Sequence, residues 1–214
     1  MSTRPRTWKG LGVDVVLEAG IEGLYDGGVA IPYRLPDGSF VYQKRIGATG
    51  SSWYEPSPLD VGGLVPYGLE SVCWEGLRED DILIVAEGES DALAAREHIA
   101  ELDSRRVFTL GLPGASTWRE AWLRFLRPFS AVYVVPDGDE AGRKMAAAVK
   151  HDCRWARVVV LEQGDDLRGL IQREGAEALL PFLDEASWRL QLELGLRACR
   201  TLDEMEAWMR RPMT

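Results

Sequence analysis

The sequence predicts an α/β protein built on a mainly parallel β-sheet with helices on its faces. Two patterns carry that reading. From residue 82 onward apolar runs alternate with helical segments. Strands are expected near 82–87, 105–110, 131–136 and 157–162, and helices near 90–102, 117–127, 139–150 and 166–174. The runs ILIVA (82–86) and AVYVV (131–135) are also continuous rather than alternating, as expected of strands covered on both faces. A third observation concerns chemistry. Three strand ends carry acids: Glu87 with Asp91, Asp137 with Asp139, and Asp165 with Asp166. In open α/β sheets ligands bind at that edge.

The elements follow in order. Residues 1–10 are basic and are expected to be flexible. Leu11, Val13, Val15, Val16, Leu17 and Ile21 predict a short helix. A hairpin is expected next, with strands over 28–34 and 40–47 around the turn Pro36-Asp37-Gly38. Residues 48–66, rich in Gly, Ser and Pro, read as a loop or a short bent strand. Residues 71–81 read as a short helix and a connector. In the first strand–turn–helix unit, Ser90 is the expected N-cap and Asp91 lies in the first helical turn. Beyond Pro181 the apolar set Trp188, Leu190, Leu192, Leu194, Leu196, Leu202, Met205, Trp208 and Met209 predicts two amphipathic helices.

A chain of 214 residues can bury a sizeable core. No apolar run is long enough to span a bilayer, and MSTRPRTWKG lacks the apolar segment of a signal peptide, so a cytoplasmic protein without a membrane partner is expected. Cys73, Cys153 and Cys199 have no CxxC spacing, which argues against a zinc ribbon or a disulfide framework. The net charge of −9 argues against a broad electrostatic grip on nucleic acid, while leaving room for a local basic groove.

Clustered carboxylates repel one another, and a divalent cation relieves that repulsion. Mg²⁺ prefers carboxylates and water. Glycines beside the acids, Gly88, Gly138 and Gly142, permit tight turns and close approach of a phosphate-bearing ligand. Helices starting beside Ser90 and Asp139 direct amide groups to the same edge. The chemistry that fits is metal-assisted phosphoryl or nucleotidyl transfer, or phosphodiester hydrolysis.

EGESDALAA followed by VVPDGDEAGRKMA resembles the paired signature of the Toprim domain, shared by topoisomerases, DnaG-type primases and several nucleases. The segments IPYRLPDGSFVYQKRIG, WYEPSP with LVPYGLE, and GDDLRGLIQREGAEALLPFL resemble the flanking parts of bacterial and phage DnaG-type primases. The resemblance runs over about residues 28–183. It implies an N-terminal subdomain over 1–80, a Toprim domain over 81–183 and a helical tail over 184–214. It implies that Glu87, Asp137 and Asp139 are catalytic, and that Glu87, Asp91, Asp137, Asp139 and Asp166 hold Mg²⁺ or Mn²⁺. Lys44, Arg45, Arg143 and Lys144 become candidates for nucleotide or nucleic-acid contact. The late acidic motif departs from the family pattern, because its second acid falls at Arg168; one metal position is then weak or absent, or Asp165 substitutes. The implied function is a primase module that joins ribonucleoside triphosphates on single-stranded DNA, with a replicative helicase as a further partner. Alternatives are a Toprim nuclease and a non-catalytic nucleic-acid- or helicase-binding module. The zinc ribbon and the long basic N-terminal half of full primases have no counterpart in this sequence, which therefore resembles the catalytic half of a primase or a minimal relative.

Overall fold

The computed structural model describes residues 7–99, 101–102 and 105–179. The expected tail over 184–214 and Cys199 lie outside the described residues. The chain begins with a short helix, α1 (Val13–Glu18). A four-stranded antiparallel sheet follows, made of β1 (Glu22–Gly23), β2 (Val29–Arg34), β3 (Phe40–Ile46) and β4 (Ser52–Glu55) in that order. The Pro36-Asp37-Gly38 turn joins β2 to β3 as expected, with Gly38 at φ 81° donating its amide to Leu35 at 2.9 Å. The expected short helix over 71–81 is absent. In its place one 3₁₀ turn, Trp74–Gly76, falls within 71–81, preceded by another, Leu69–Ser71, and the rest of the stretch is a connector.

The second sheet holds β5 (Ile82–Ala86), β6 (Glu101–Leu102), β7 (Arg105–Gly111), β8 (Ala131–Val135) and β9 (Arg157–Val158). Its order is β6-β7-β5-β8-β9, with β5 at the centre. Only β6 runs antiparallel; the other pairings are parallel. Helix α2 (Glu89–His98) connects β5 to the β6–β7 side, and a 3₁₀ turn with the four-residue α3 (Leu123–Leu126) leads from β7 to β8. Helix α4 (Glu140–Asp152) and then α5 (Leu167–Glu174) follow β8 and β9. The long helix expected over 117–127 is therefore broken. Both tryptophans of that stretch are held by their indole N–H groups, Trp118 on Asp152 and Trp122 on the Leu64 carbonyl, at 2.8 and 3.2 Å.

Alternation along β5 and β8 divides the interior into two apolar clusters. Ile82, Ile84, Ala86, Tyr133 and Val135 face α2, α5 and the antiparallel sheet. Leu83, Val85, Val132 and Val134 face α4 and the Trp122–Phe129 region. Both faces are thus covered, which explains the continuous apolar runs. Helix α2 is packed between the two sheets, and this explains its small side chains: Ala92, Ala94 and Ala95 are buried with Leu93. Tyr33, Tyr42 and Tyr67 fill the space beside it; the Tyr33 and Tyr42 rings lie 4.7 Å apart. Trp8 also joins this cluster, and Gln172 donates to the Lys9 carbonyl at 3.2 Å. The start of the described chain is therefore docked on the body, contrary to the flexible segment its composition predicts.

Candidate active site

The chain leaves β5 toward β7 on one side, then returns to β8 on the other side of β5. The carboxyl ends of β5 and β8 therefore flank the point where strand order reverses, the place where open α/β sheets form a crevice. Glu87 follows β5 and Asp137 follows β8, and the two are joined: the Asp137 amide donates to Oε2 of Glu87 at 3.1 Å. Asp139 caps α4, its Oδ1 accepting from the Gly142 amide at 2.8 Å. The chain after β9 closes over the same edge. Gly138 donates its amide to the Asp165 carbonyl at 2.7 Å, and Gly164 donates to the Gly138 carbonyl at 3.0 Å. A Cβ at Gly138 would stand 1.9 Å from the Glu162 carbonyl oxygen, so only glycine lets these loops meet.

Asp166 caps α5 through Oδ1 and the Gly169 amide. Asp91 is buried at the start of α2, and its Oδ1 accepts the Arg168 amide at 3.1 Å. The Arg168 guanidinium lies 2.8 Å from Oδ2 of Asp166. Ser90 is not the N-cap; the cap lies two residues earlier, at Gly88, and α2 begins at Glu89. The Ser90 hydroxyl instead donates to Oδ2 of Asp91 at 3.3 Å and receives Lys9 at 3.3 Å. Asp165 is held by both guanidinium nitrogens of Arg173, at 2.7 and 2.6 Å, which keeps its carboxyl below the usual range.

The remaining sequence candidates lie apart from this edge or are engaged. Lys44 binds Oε1 of Glu89 at 2.8 Å and the Pro113 carbonyl at 3.1 Å. Glu89, an acid the sequence did not single out, is buried between Lys44 and the Tyr33 hydroxyl. Its partners come from β2 and β3, which no local pattern announces. Arg45 lies 2.8 Å from Glu55 on the next strand. On α4, Lys144 pairs with Glu140 at 2.6 Å and Arg143 is exposed. Trp53 is 44 % exposed, while Tyr54 packs edge-on against Tyr42 at 5.3 Å.

The electrostatics are those of crowded acids. Burial pushes Asp137 up to about 7, and the charges of Glu87, Asp91, Asp166 and Asp139 add to the shift. Burial also raises Glu87, partly offset by the Asp137 amide and reinforced by Asp139 and Asp91. Burial raises Asp91 too, against the opposing pull of the Arg168 amide. Among the described residues, no three His, Cys, Asp or Glu side chains close within ligating reach of one point. The donor set nevertheless fits a hard cation on one side: Glu87, Asp137 and Asp139 are oxygen donors with uncompensated charge. It fits poorly around Asp91 and Asp166, where Arg168 and Lys9 already supply positive charge.

Comparisons with known proteins agree with this geometry. Residues 84–169 match the family described as Toprim-like. The chain is 32% identical over 98 residues to the gene 57 protein of Mycobacterium phage D29, covering 46% of this chain and 60% of that one. It is 33% identical over 139 residues to a DNA primase of Pseudomonas putida, covering 61% of this chain but 20% of that protein. The primase fragment of the bacteriophage T7 primase-helicase protein superposes with a TM-score of 0.61 at 20% identity, over 82% of this chain and 72% of that one. A DnaG primase catalytic domain bound to single-stranded DNA superposes with a TM-score of 0.57 at 22% identity, over 88% and 64%. At these identities the likeness to solved structures is one of fold. The sheet order, the joined strand ends and the family match make residues 84–169 a Toprim-like domain. In fold this domain is similar to the Toprim part of DnaG-type primases, and the chain spans 60% and 20% of the length of the curated relatives it matches. Among the described residues no helix is long and apolar enough to cross a membrane.

Proposed function

We propose that this chain is the catalytic module of a DnaG-like primase and makes RNA primers by metal-dependent nucleotidyl transfer on single-stranded DNA. The observation that carries the reading is the junction of Glu87 with the Asp137-Gly138-Asp139 loop at the crevice of a primase-type Toprim sheet. Glu87, Asp137 and Asp139 would hold Mg²⁺ or Mn²⁺, with Asp91 and Asp166 at the same edge. When bound, the cation supplies charge neutralisation for a triphosphate and a lowered pKa for a 3′-hydroxyl.

The residues themselves supply position and charge. The Asp137 amide fixes Oε2 of Glu87, so that this carboxylate faces the site in one orientation. Burial holds its pKa above the ordinary carboxylate value, which favours a cation beside it as a compensating charge. Asp139 is fixed by its cap on α4, whose amino end adds positive potential for phosphate oxygens. Arg143 and Lys144, exposed in the first turns of α4, are placed to meet phosphates there. Arg45 and the exposed Trp53 share the β3–β4 face and are offered as the template-side contact. Ribonucleoside triphosphates, single-stranded DNA and a replicative helicase are the proposed partners. Support comes from the primase relative and from two structural counterparts, a DnaG primase catalytic domain bound to single-stranded DNA and the primase fragment of a primase-helicase protein.

The test is template-dependent synthesis with labelled ribonucleotides and Mg²⁺ or Mn²⁺. Short RNA products that vanish in Asp137→Ala and Glu87→Ala are expected. Metal-dependent cleavage of the template without synthesis would replace this reading with a nuclease. Neither activity, in a folded chain that binds template, would make it a binding module.

A further inference from the structure

We propose that the Arg168 guanidinium is the fixed counter-cation of Asp91 and Asp166, so that this chain takes one divalent cation, on Glu87, Asp137 and Asp139. The inference rests on the metal-dependent reading above and narrows it.

All four oxygens of Asp91 and Asp166 are engaged within the chain. Asp91 receives the Arg168 amide on Oδ1 at 3.1 Å and the Ser90 hydroxyl on Oδ2 at 3.3 Å. Asp166 receives the Gly169 amide on Oδ1 and the Arg168 guanidinium on Oδ2 at 2.8 Å. The second guanidinium arm reaches the Ser90 hydroxyl at 3.5 Å, and Lys9 reaches the same oxygen at 3.3 Å. The guanidinium is 19% exposed, so solvent screens it weakly. A divalent cation entering here has to displace a guanidinium from Asp166 or sit beside it, and like charges at that range repel strongly.

The other half of the edge differs in kind. Glu87 accepts one backbone amide and Asp139 accepts another. Among the described residues no ion pair reaches Glu87, Asp137 or Asp139; Lys44 and Lys144 pair with Glu89 and Glu140, and Lys9 reaches Ser90. Arg168 thus divides the edge into a neutralised half and an uncompensated one. A lysine at 168 would keep the charge but lose the fork that spans Asp166 and Ser90.

The test is a titration of the full chain with Mn²⁺ alone, the free ion followed by electron paramagnetic resonance. The wild-type chain is expected to bind one Mn²⁺. Asp137→Asn should weaken it by more than about tenfold, whereas Asp166→Asn should change it far less. Arg168→Ala and Arg168→Gln should each admit a second Mn²⁺, with circular dichroism reporting an unchanged fold. Two Mn²⁺ on the wild-type chain, one of them lost in Asp166→Asn, would overturn the inference and leave the metal reading standing. A single Mn²⁺ in both folded Arg168 variants would also overturn it. No Mn²⁺ on the wild-type chain would remove the metal reading itself, and the inference with it.

Discussion

The Asp137 amide donates to Oε2 of Glu87 at 3.1 Å, joining residues 50 apart in the chain. The bond sits between the two central strands and sets the carboxylate that the proposed chemistry needs. Glu87→Gln keeps an acceptor for that amide but removes the charge. Glu87→Ala removes both. Primer synthesis is expected to fall by about two orders of magnitude or more in each. Thermal unfolding should separate them. Glu87→Gln should unfold at or above the wild-type temperature, since a carboxylate with a raised pKa is disfavoured as an anion in the folded state. Glu87→Ala should unfold lower, because the Asp137 amide loses its partner.

The pH dependence of stability follows from Asp137. Its carboxyl is raised from an ordinary 3.8 to about 7 in the folded chain. The folded state therefore holds this proton more tightly than the unfolded state. The stabilisation is full below the unfolded value and is lost as pH rises through about 7. Without divalent cations, the unfolding temperature is expected to fall between pH 6 and pH 8 in the wild type, and to fall less in Asp137→Asn. Mg²⁺ should raise it more at pH 8 than at pH 6, because binding requires the deprotonated carboxylate. Differential scanning calorimetry at the two pH values, with and without Mg²⁺, reads this directly. An identical slope in Asp137→Asn would exclude Asp137 as the source.

Two glycines fix how closely the loops approach. A Cβ at Gly142 would lie 2.2 Å from the Asp137 carbonyl oxygen and 2.8 Å from Oε2 of Glu87. Gly142→Ala is expected to push the Asp137 loop off the α4 terminus and to cut synthesis at least as much as it lowers stability. Gly138→Ala meets backbone at 1.9 Å and should cost about 2 kcal/mol or more in chemical denaturation, because no flexible side chain there can yield. Gly38→Ala, at a turn with open space and φ 81°, should lose only the ~1 kcal/mol of a left-handed turn and leave synthesis unchanged.

The strand ends were legible because the apolar runs of β5 and β8 are covered on both faces, and an acid follows each within two residues. The hairpin was legible from one turn. What escaped depends on partners distant in sequence. The run over 157–162 looked like a strand, yet pairing ends at Val158, with one further bond from the Val159 amide to Val134. The chain must then veer so that 162–165 can pack on Gly138. Helix 117–127 gave way because its tryptophans are drawn to Asp152 and Leu64. Asp166, a metal ligand by the resemblance, caps α5, while Arg168 takes its other oxygen. Spacing alone could place Arg168 in the late motif, but its grip on Asp91, 77 residues away, needed the fold.

Lys44 and Glu89 hold the antiparallel sheet against the start of α2. Their side chains are 13% and 7% exposed, and the same Glu89 oxygen receives the Tyr33 hydroxyl. Removing one charge of a buried pair leaves the other without its partner. Lys44→Met is therefore expected to lower stability by about 3 kcal/mol. Glu89→Gln alone strands the ammonium but keeps an acceptor for Tyr33. The double variant Lys44→Met, Glu89→Gln should recover most of the loss, since no charge remains buried and Tyr33 keeps its bond. If Lys44 serves mainly to hold the sheets together, synthesis per folded molecule should return in the double variant. If Lys44 instead contacts nucleotide or template, stability should return while synthesis stays low. Denaturant titration beside primer synthesis, on the single and double variants, separates the two roles of this lysine.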